Sequence, residues 1–219
     1  MRATVATFST ERISNGTVSS LLSLGDPARL AGIYPIQYAI GSGALIEKER
    51  SVQATWFLDN PELCGDVFFM IDSDISFFNP ADCIRMIKNC AILRTVISGV
   101  YVKKEFPPRI IAVPFTKTPI YMNSGLKMMK WVPTGFMAIH RCVLQDLAKT
   151  MRRVGHGNIQ FYPFFMTKIL HTPEKDIFLG EDNNFSYSCN EIGYYPLLDT
   201  NTMLYHTGPY DFSVEDIGW

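Results

Sequence analysis

No block of lysine or arginine occurs anywhere in the sequence, and 20 basic against 21 acidic residues leave a formal charge of −1. A chain without a basic stripe has no electrostatic footprint for a phosphate backbone, which excludes nucleic acid as the main partner. The pairs Lys103-Lys104 and Arg152-Arg153 are too short to form one and read as solvated faces or local phosphate contacts. No apolar run approaches the roughly 20 residues of a membrane helix, so no membrane span is expected. The N-terminus enters a strand-like segment almost at once, so no secretory leader is read. A cytoplasmic location is expected, the host cytoplasm for a viral protein. The five cysteines (Cys64, Cys83, Cys90, Cys142, Cys189) are odd in number and scattered, without redox or metal-ligand spacing. They read as reduced, buried thiols, and the sequons at Asn15 and Asn184 as coincidental. Repeats, low-complexity tracts and linkers are missing too, which leaves one domain.

What is present is a chain of 219 residues with 47% hydrophobic and 13% aromatic residues, enough for one sizeable core. Ala3 to Phe8 is β-rich. A helix is predicted from Asn15, with Val18, Leu21 and Leu22 at helical spacing and Gly25-Asp26-Pro27 as its stop. A strand over Ile33–Ile40 and a helix over Leu45–Leu58, with Leu45, Val52 and Trp56 facing the core, come next. Asp66 to Ile71 is a nearly continuous apolar run, as in strands covered on both faces. Asn79-Pro80 reads as the cap and first turn of another helix, and Thr95–Val102 as a further strand. Strand, helix and strand in alternation predict a doubly wound α/β sheet. Beyond it, Phe106 to Pro119 reads as a hairpin or edge excursion. His140–Val154 reads as a helix ended by Gly155-His156-Gly157, and a helix runs from Gly180-Glu181-Asp182 through Cys189. Val214 to Trp219 carries no clear terminator, so further domains can come after residue 219.

Asp72-Ser73-Asp74 closes the apolar run, where α/β folds present ligand-binding residues. Two carboxylates there suit Mg²⁺ or Mn²⁺, ions that bridge to substrate phosphates. They also suit a loop with no ligand, since aspartate is a common turn and cap residue. His206, Glu181 and Asp182 carry the same ambiguity, as core histidine and as helix-start carboxylates. Arg50 and Lys103 read equally as surface residues. His140, His156 and His171 have no supporting context.

The segment Phe68-Phe69-Met70-Ile71-Asp72-Ser73-Asp74-Ile75 resembles the DxD strand of the GT-A glycosyltransferases, and the likeness runs in order over nearly the whole chain. Thr7-Phe8-Ser9-Thr10 is similar to that family's nucleotide-binding strand. Gly41-Ser42 with Glu49-Arg50 looks like the segment whose arginine lies near the nucleotide, although the family's arginine–asparagine pair reads Arg50-Ser51 here. Ser98 to Lys103 looks like the strand after the DxD. Thr134-Gly135-Phe136 resembles the turn beside the donor sugar, Gly180-Glu181-Asp182 the acidic helix start facing the acceptor, and His206-Thr207-Gly208 the late histidine of the metal site. Glycosyltransferase domains of large algal DNA viruses (chloroviruses) read similarly.

The resemblance implies a Rossmann-like, mostly parallel sheet with a nucleotide-binding half over about 1–105 and an acceptor-side half over about 106–219. It implies Mn²⁺ or Mg²⁺ on Asp72, Asp74 and His206. A UDP-sugar donor would meet Thr7, Phe8, Ser9, Arg50, Ser73, Lys103, Thr134 and Gly135, with the base against Phe8. Asp182 is the first choice for catalytic base and Glu181 the second. A hexose or deoxyhexose would pass to a glycan or glycoprotein, with inversion or retention undecided. Two readings stand beside this one: an inactive glycan- or nucleotide-binding domain of the same fold, and a DxD phosphatase with Asp72 as nucleophile. A sugar-nucleotide pyrophosphorylase would need a Gly-rich, basic N-terminal loop, which the sequence lacks.

Overall fold

The computed structural model describes residues 1–9, 12–33, 36–42, 45–117 and 119–217, so Thr10, Gly43 and the last two residues lie outside the described residues. Ala3–Ser9 forms strand β1, buried along nearly its whole length. Helix α1 covers Asn15–Leu30, with the Ser14 hydroxyl accepting from Thr17 N at its start. It runs through Gly25-Asp26-Pro27, where the sequence predicted a stop, because Leu24 and Ala28, one turn apart across the proline, are both fully buried. That burial offsets the helix bond lost at Pro27. The inward face is also not the apolar one expected. Thr17 and Ser20 point in, while Leu22 is 80% exposed. The reason is hydrogen bonding: Thr17 Oγ1 donates to the carbonyls of Ser73 and Ile75 at 3.0 and 2.7 Å, and Ser20 Oγ donates to Phe77 O at 2.7 Å.

Strand β2 (Ile36–Ser42) leads to α2 (Ile46–Asp59), the short α3 (Pro61–Cys64) and β3 (Val67–Asp72). On α2 the buried residues are Arg50, Ser51, Ala54, Thr55 and Phe57, whereas Leu45 is exposed. The Ser51 and Thr55 hydroxyls accept the backbone N–H groups of Phe165 and Tyr162 at 3.0 and 2.9 Å. Hydrophobic periodicity cannot register a helix face that docks a loop through hydroxyls. After Ser73 come β4 (Ile75–Phe77) and α4 (Pro80–Leu93), the latter capped by Asn79 and opened by Pro80 as predicted. Strand β5 (Val96–Gly99) stops three residues earlier than expected, and Val102 makes only an isolated bridge to Ile110. The 106–119 stretch is an excursion with bridges at Ile110 and Val113 rather than a hairpin.

The remaining elements are β6 (Leu126–Met128), β7 (Phe136–His140), α5 (Arg141–Ala148), β8 (Val154–His156), β9 (Ile159–Phe161), β10 (Lys168–His171), β11 (Asp176–Leu179), α6 (Glu181–Glu191), β12 (Leu197–Asp199), β13 (Leu204–Thr207) and β14 (Asp211–Ser213), with a 3₁₀ turn at Val214–Ile217. Helix α5 is half the predicted length because Val154 onward pairs as the β8–β9 hairpin, turning at Gly157 with φ +60°.

Seven strands form one sheet in the order β2-β1-β3-β7-β5-β12-β6. Strands β1, β2, β3, β5 and β12 share one direction and β7 and β6 oppose it, so the sheet is mostly parallel. One face packs Phe8, Phe68, Met70 and Ile139 with α2, α5 and α6; the other packs Val5, Phe69 and Ile71 with α1 and α4. This is the doubly wound arrangement the sequence implied. None of the five cysteines is in a disulfide, and all except Cys142 are buried. Among the described residues no helix is long and apolar enough to cross a membrane.

Candidate active site

Strands β1 and β3 finish side by side, Phe8 opposite Asp72, and β7 begins beside them with Phe136 opposite Ile71. Asp72 N accordingly donates to Gly135 O at 2.8 Å. The next residue is anchored on both sides. Ser73 N donates to Phe8 O at 3.2 Å, and Ser73 O accepts from Ser14 N at 2.7 Å as well as from Thr17. The chain turns there and enters β4, which pairs with β13 and sets His206 opposite Ile75. Thr207 N donates to Asp74 O at 2.8 Å. Asp72, Ser73, Asp74, Thr134, Gly135 and His206 therefore meet at the sheet's edge where ligands of such folds bind.

Arg50 is 3% exposed, and its guanidinium organises the inner part of this edge. Nη2 donates to both Asp72 oxygens at 2.8 and 2.7 Å. Nη1 reaches Glu181 Oε1 at 3.2 Å and Asp182 Oδ1 at 3.7 Å. Burial works against the guanidinium charge, yet Asp72 and Asp182 hold its pKa above the ordinary arginine value. Thr134 Oγ1 donates a short hydrogen bond to Asp182. Burial is the main cause that pushes Asp182 up to about 6; Arg50 opposes the rise and Glu181 adds to it. Beneath the carboxylates lies Tyr101, whose hydroxyl accepts from Gly135 N at 2.9 Å and whose pKa burial and the Asp182 and Asp72 charges drive up.

The outer part centres on Asp74. Its Oδ2 lies 2.5 Å from Lys104 Nζ and 3.7 Å from His206 Nε2. His206 Nδ1–H donates to Val102 O at 2.8 Å, which turns Nε2 toward Asp74. Burial would raise the Asp74 carboxyl, but His206 and Lys104 beside it outweigh that and bring the pKa down to about 2.

The triad expected of the resemblance is thus divided, with Asp72 turned inward to Arg50 and Asp74 outward to His206. Among the described residues no group of three His, Cys, Asp or Glu side chains is placed to hold a metal ion. Asp74 and His206 nevertheless fit one. A ligating histidine ordinarily has its second nitrogen fixed by a carbonyl, as Val102 does here, and Mg²⁺ or Mn²⁺ is commonly held by one or two protein groups plus substrate phosphates.

The other expected residues fall out unevenly. Thr134 and Gly135 are buried at the site, and Ser73 is half-buried between the two aspartates. Ser9 Oγ donates to Arg12 O at 2.6 Å. Thr7 is buried with no hydrogen-bond partner for Oγ1 among the described residues, and it lines a groove of about 400 Å³ with Ile13, Val18, Tyr38 and Ile40. Phe8 belongs to the core: it is 1% exposed and lies against Gly41, where a Cβ would come 2.8 Å from its ring. It has no face free to receive a base. Lys103 is exposed, and its neighbour Lys104 is the lysine that reaches Asp74. Lys104 and Tyr101 were both missed. Strand alternation past Val102 was the available signal for the lysine, and the early end of β5 hid it. A cleft of about 920 Å³ opens from Ser73 and Asp74 between α1 and the β4–β13–β14 sheet, with Phe78 and Tyr205 on its wall.

Among solved structures the chain is similar to A197 from STIV, with 15% identity, a TM-score of 0.61, and coverage of 95% of this chain and 86% of that one. It is also similar to GalNAc-T7 solved with UDP, GalNAc and Mn²⁺, at 13% identity and TM-score 0.54, over 96% of this chain and 44% of that chain. The fold is GT-A-like. No protein-family model matches the sequence, and no curated protein does. At such identities the likeness establishes fold alone.

Proposed function

We propose that this chain is a metal-dependent glycosyltransferase that moves a hexose or deoxyhexose from a nucleotide-diphosphate sugar, UDP in the first instance, to a glycan or glycoprotein acceptor. The observation that carries the reading is the pair of charge clusters joined by Ser73, with Arg50 gathering Asp72, Glu181 and Asp182 on one side and Asp74 facing His206 on the other. A structural neighbour solved with UDP, GalNAc and Mn²⁺ supports it.

In this reading Asp74 and His206 would hold the ion, which when bound would supply Lewis-acid neutralisation of the departing diphosphate, and Asp72 acts through Arg50. Thr7, whose hydroxyl has no partner among the described residues, and the groove beside it receive the nucleoside, replacing Phe8 in that role, while Ser9 and Ser73 border the ribose and Lys104 takes the phosphate contact expected of Lys103. Thr134 and Gly135 line the donor sugar. As the bond from the anomeric carbon to the phosphate oxygen breaks and the acceptor oxygen bonds to that carbon, the acceptor proton passes to Asp182 in an inverting reaction. A carboxylate raised to about 6 is matched to that task near neutral pH. Glu181 positions the acceptor.

One observation favours a second reading, an inactive nucleotide-binding domain: both aspartates of the motif are ion-paired, Asp72 to Arg50 and Asp74 to Lys104. The phosphatase reading gains nothing, because a nucleophilic Asp72 would have both oxygens engaged by Arg50.

The deciding experiment is calorimetric titration of UDP with Mn²⁺ and then with EDTA, repeated on Asp74→Ala. Metal-dependent binding weakened at least about tenfold by the substitution is expected, together with turnover of a UDP-sugar. Binding without turnover of any nucleotide sugar selects the inactive domain. No binding of UDP or GDP under either condition overturns the proposal.

A further inference from the structure

We propose that Lys104 is a built-in counter-cation of the Asp74–His206 pair, which a divalent cation must displace, so that this lysine sets how tightly the chain takes up metal. The inference rests on reading Asp74 and His206 as metal ligands. Its basis is that Lys104 Nζ and His206 Nε2 address the same oxygen, Asp74 Oδ2, at 2.5 and 3.7 Å. With Nδ1 bonded to Val102 O, His206 Nε2 and the Asp74 carboxylate face each other at 3.7 Å, beyond hydrogen-bond distance. Such a pair calls for a cation, and the ammonium stands there. A divalent ion bonds a carboxylate oxygen at about 2.1 Å, and an ammonium on that same oxygen would repel it.

The partners differ in their freedom to leave. The His206 ring is fixed at Nδ1 by Val102 and packs edge-on against Tyr101 at 5.3 Å. The Asp74 backbone is held by Thr207 N. Lys104 approaches from solvent on a four-carbon stem, with a side chain 32% exposed. Its path crosses Gly208, where a Cβ would come 3.0 Å from Lys104 Cδ. The lysine is therefore the movable member, and once displaced its stem leaves it beside the bound phosphates.

The test reads metal uptake directly, without nucleotide and without turnover. Mn²⁺ is titrated at fixed pH and ionic strength into the full chain while the electron paramagnetic resonance signal of free Mn²⁺ is monitored. Wild type is compared with Lys104→Met, Lys104→Arg and the double variant Lys104→Met/Asp74→Asn. Removing the charge is expected to tighten Mn²⁺ binding about two- to fivefold, the scale of a partly exposed ion pair. Arginine should leave affinity within about twofold of wild type, and the double variant should lose binding. If Lys104→Met binds Mn²⁺ no more tightly than wild type while the double variant loses binding, the role of the lysine falls and the metal reading stands. If neither wild type nor any variant binds Mn²⁺, even when the titration is repeated with UDP, both fall.

Discussion

Arg50 gathers three carboxylates, Asp72, Glu181 and Asp182, at one edge of the sheet. Asp182 records the strain of that arrangement, since burial raises its pKa from 3.8 to about 6 although Arg50 is close by. Between those two values the unfolded carboxyl is ionised while the folded one keeps its proton. This group's contribution to stability is therefore full below about 3.8 and is lost as pH rises through about 6. Asp182→Asn keeps an acceptor for Thr134 and removes the titration. Thermal unfolding at pH 4.5, 5.5 and 7.5 should find the variant gaining on wild type as pH rises, and parallel curves would reject the assignment. Transfer activity should drop by about 10² or more. At this scale the sequence pointed to the right residues but not to their grouping. Two aspartates with one residue between them face the same side of a continuing strand. Here the chain turns at Ser73, pinned by Ser14 and Thr17, and the two side chains part. Nothing in the spelling Asp-Ser-Asp announces that turn.

Among the elements, the turn from Pro133 into β7 is the tightest constraint on the site. A Cβ on Gly135 would lie 2.5 Å from Tyr101 Oη and 2.9 Å from Asp72 Oδ2. Glycine is required by close approach here, not by backbone angle. Gly135→Ala should cost about 1–3 kcal/mol, the usual range for overpacking, and weaken UDP binding by displacing Asp72. Adding Tyr101→Phe removes the nearer obstacle, so the double variant should be more stable than Gly135→Ala alone in urea unfolding. Additive losses would place the strain elsewhere. The same contrast explains which elements could be read in advance. Apolar runs and caps were legible, so β1, β3 and the start of α4 were found. The inward faces of α1 and α2 were not, because Thr17, Ser20, Ser51 and Thr55 bury hydroxyls that bond to backbone rather than apolar groups that fill a core.

For the whole molecule, the division into halves near residue 105 does not correspond to separable bodies. Strand β7, from the second half, lies between β3 and β5 of the first, and β12 pairs with the far side of β5. A chain ending at 105 would leave β3 with an open edge where Phe68, Phe69 and Met70 now pair with Ile139, Ala138 and Met137. It would also strip Val143, Leu144, Phe164, Phe165 and Phe185 from the core that covers Phe8, Phe57 and Phe68. Burying one such large side chain contributes about 1.5–3 kcal/mol. Five lost together come to about 7.5–15 kcal/mol, comparable with the whole roughly 5–15 kcal/mol by which a domain is stable. A fragment of residues 1–105 should therefore show no cooperative thermal transition by circular dichroism and should associate through its open strand edge. The full chain should unfold in one step. Alternation of strand and helix in the sequence reveals the sheet but not its interleaving, because long-range pairing such as Ile71 with Phe136 leaves no local periodicity. A cooperative transition in the fragment would mean that residues 1–105 carry their own core, and the shared-core account would have to be abandoned.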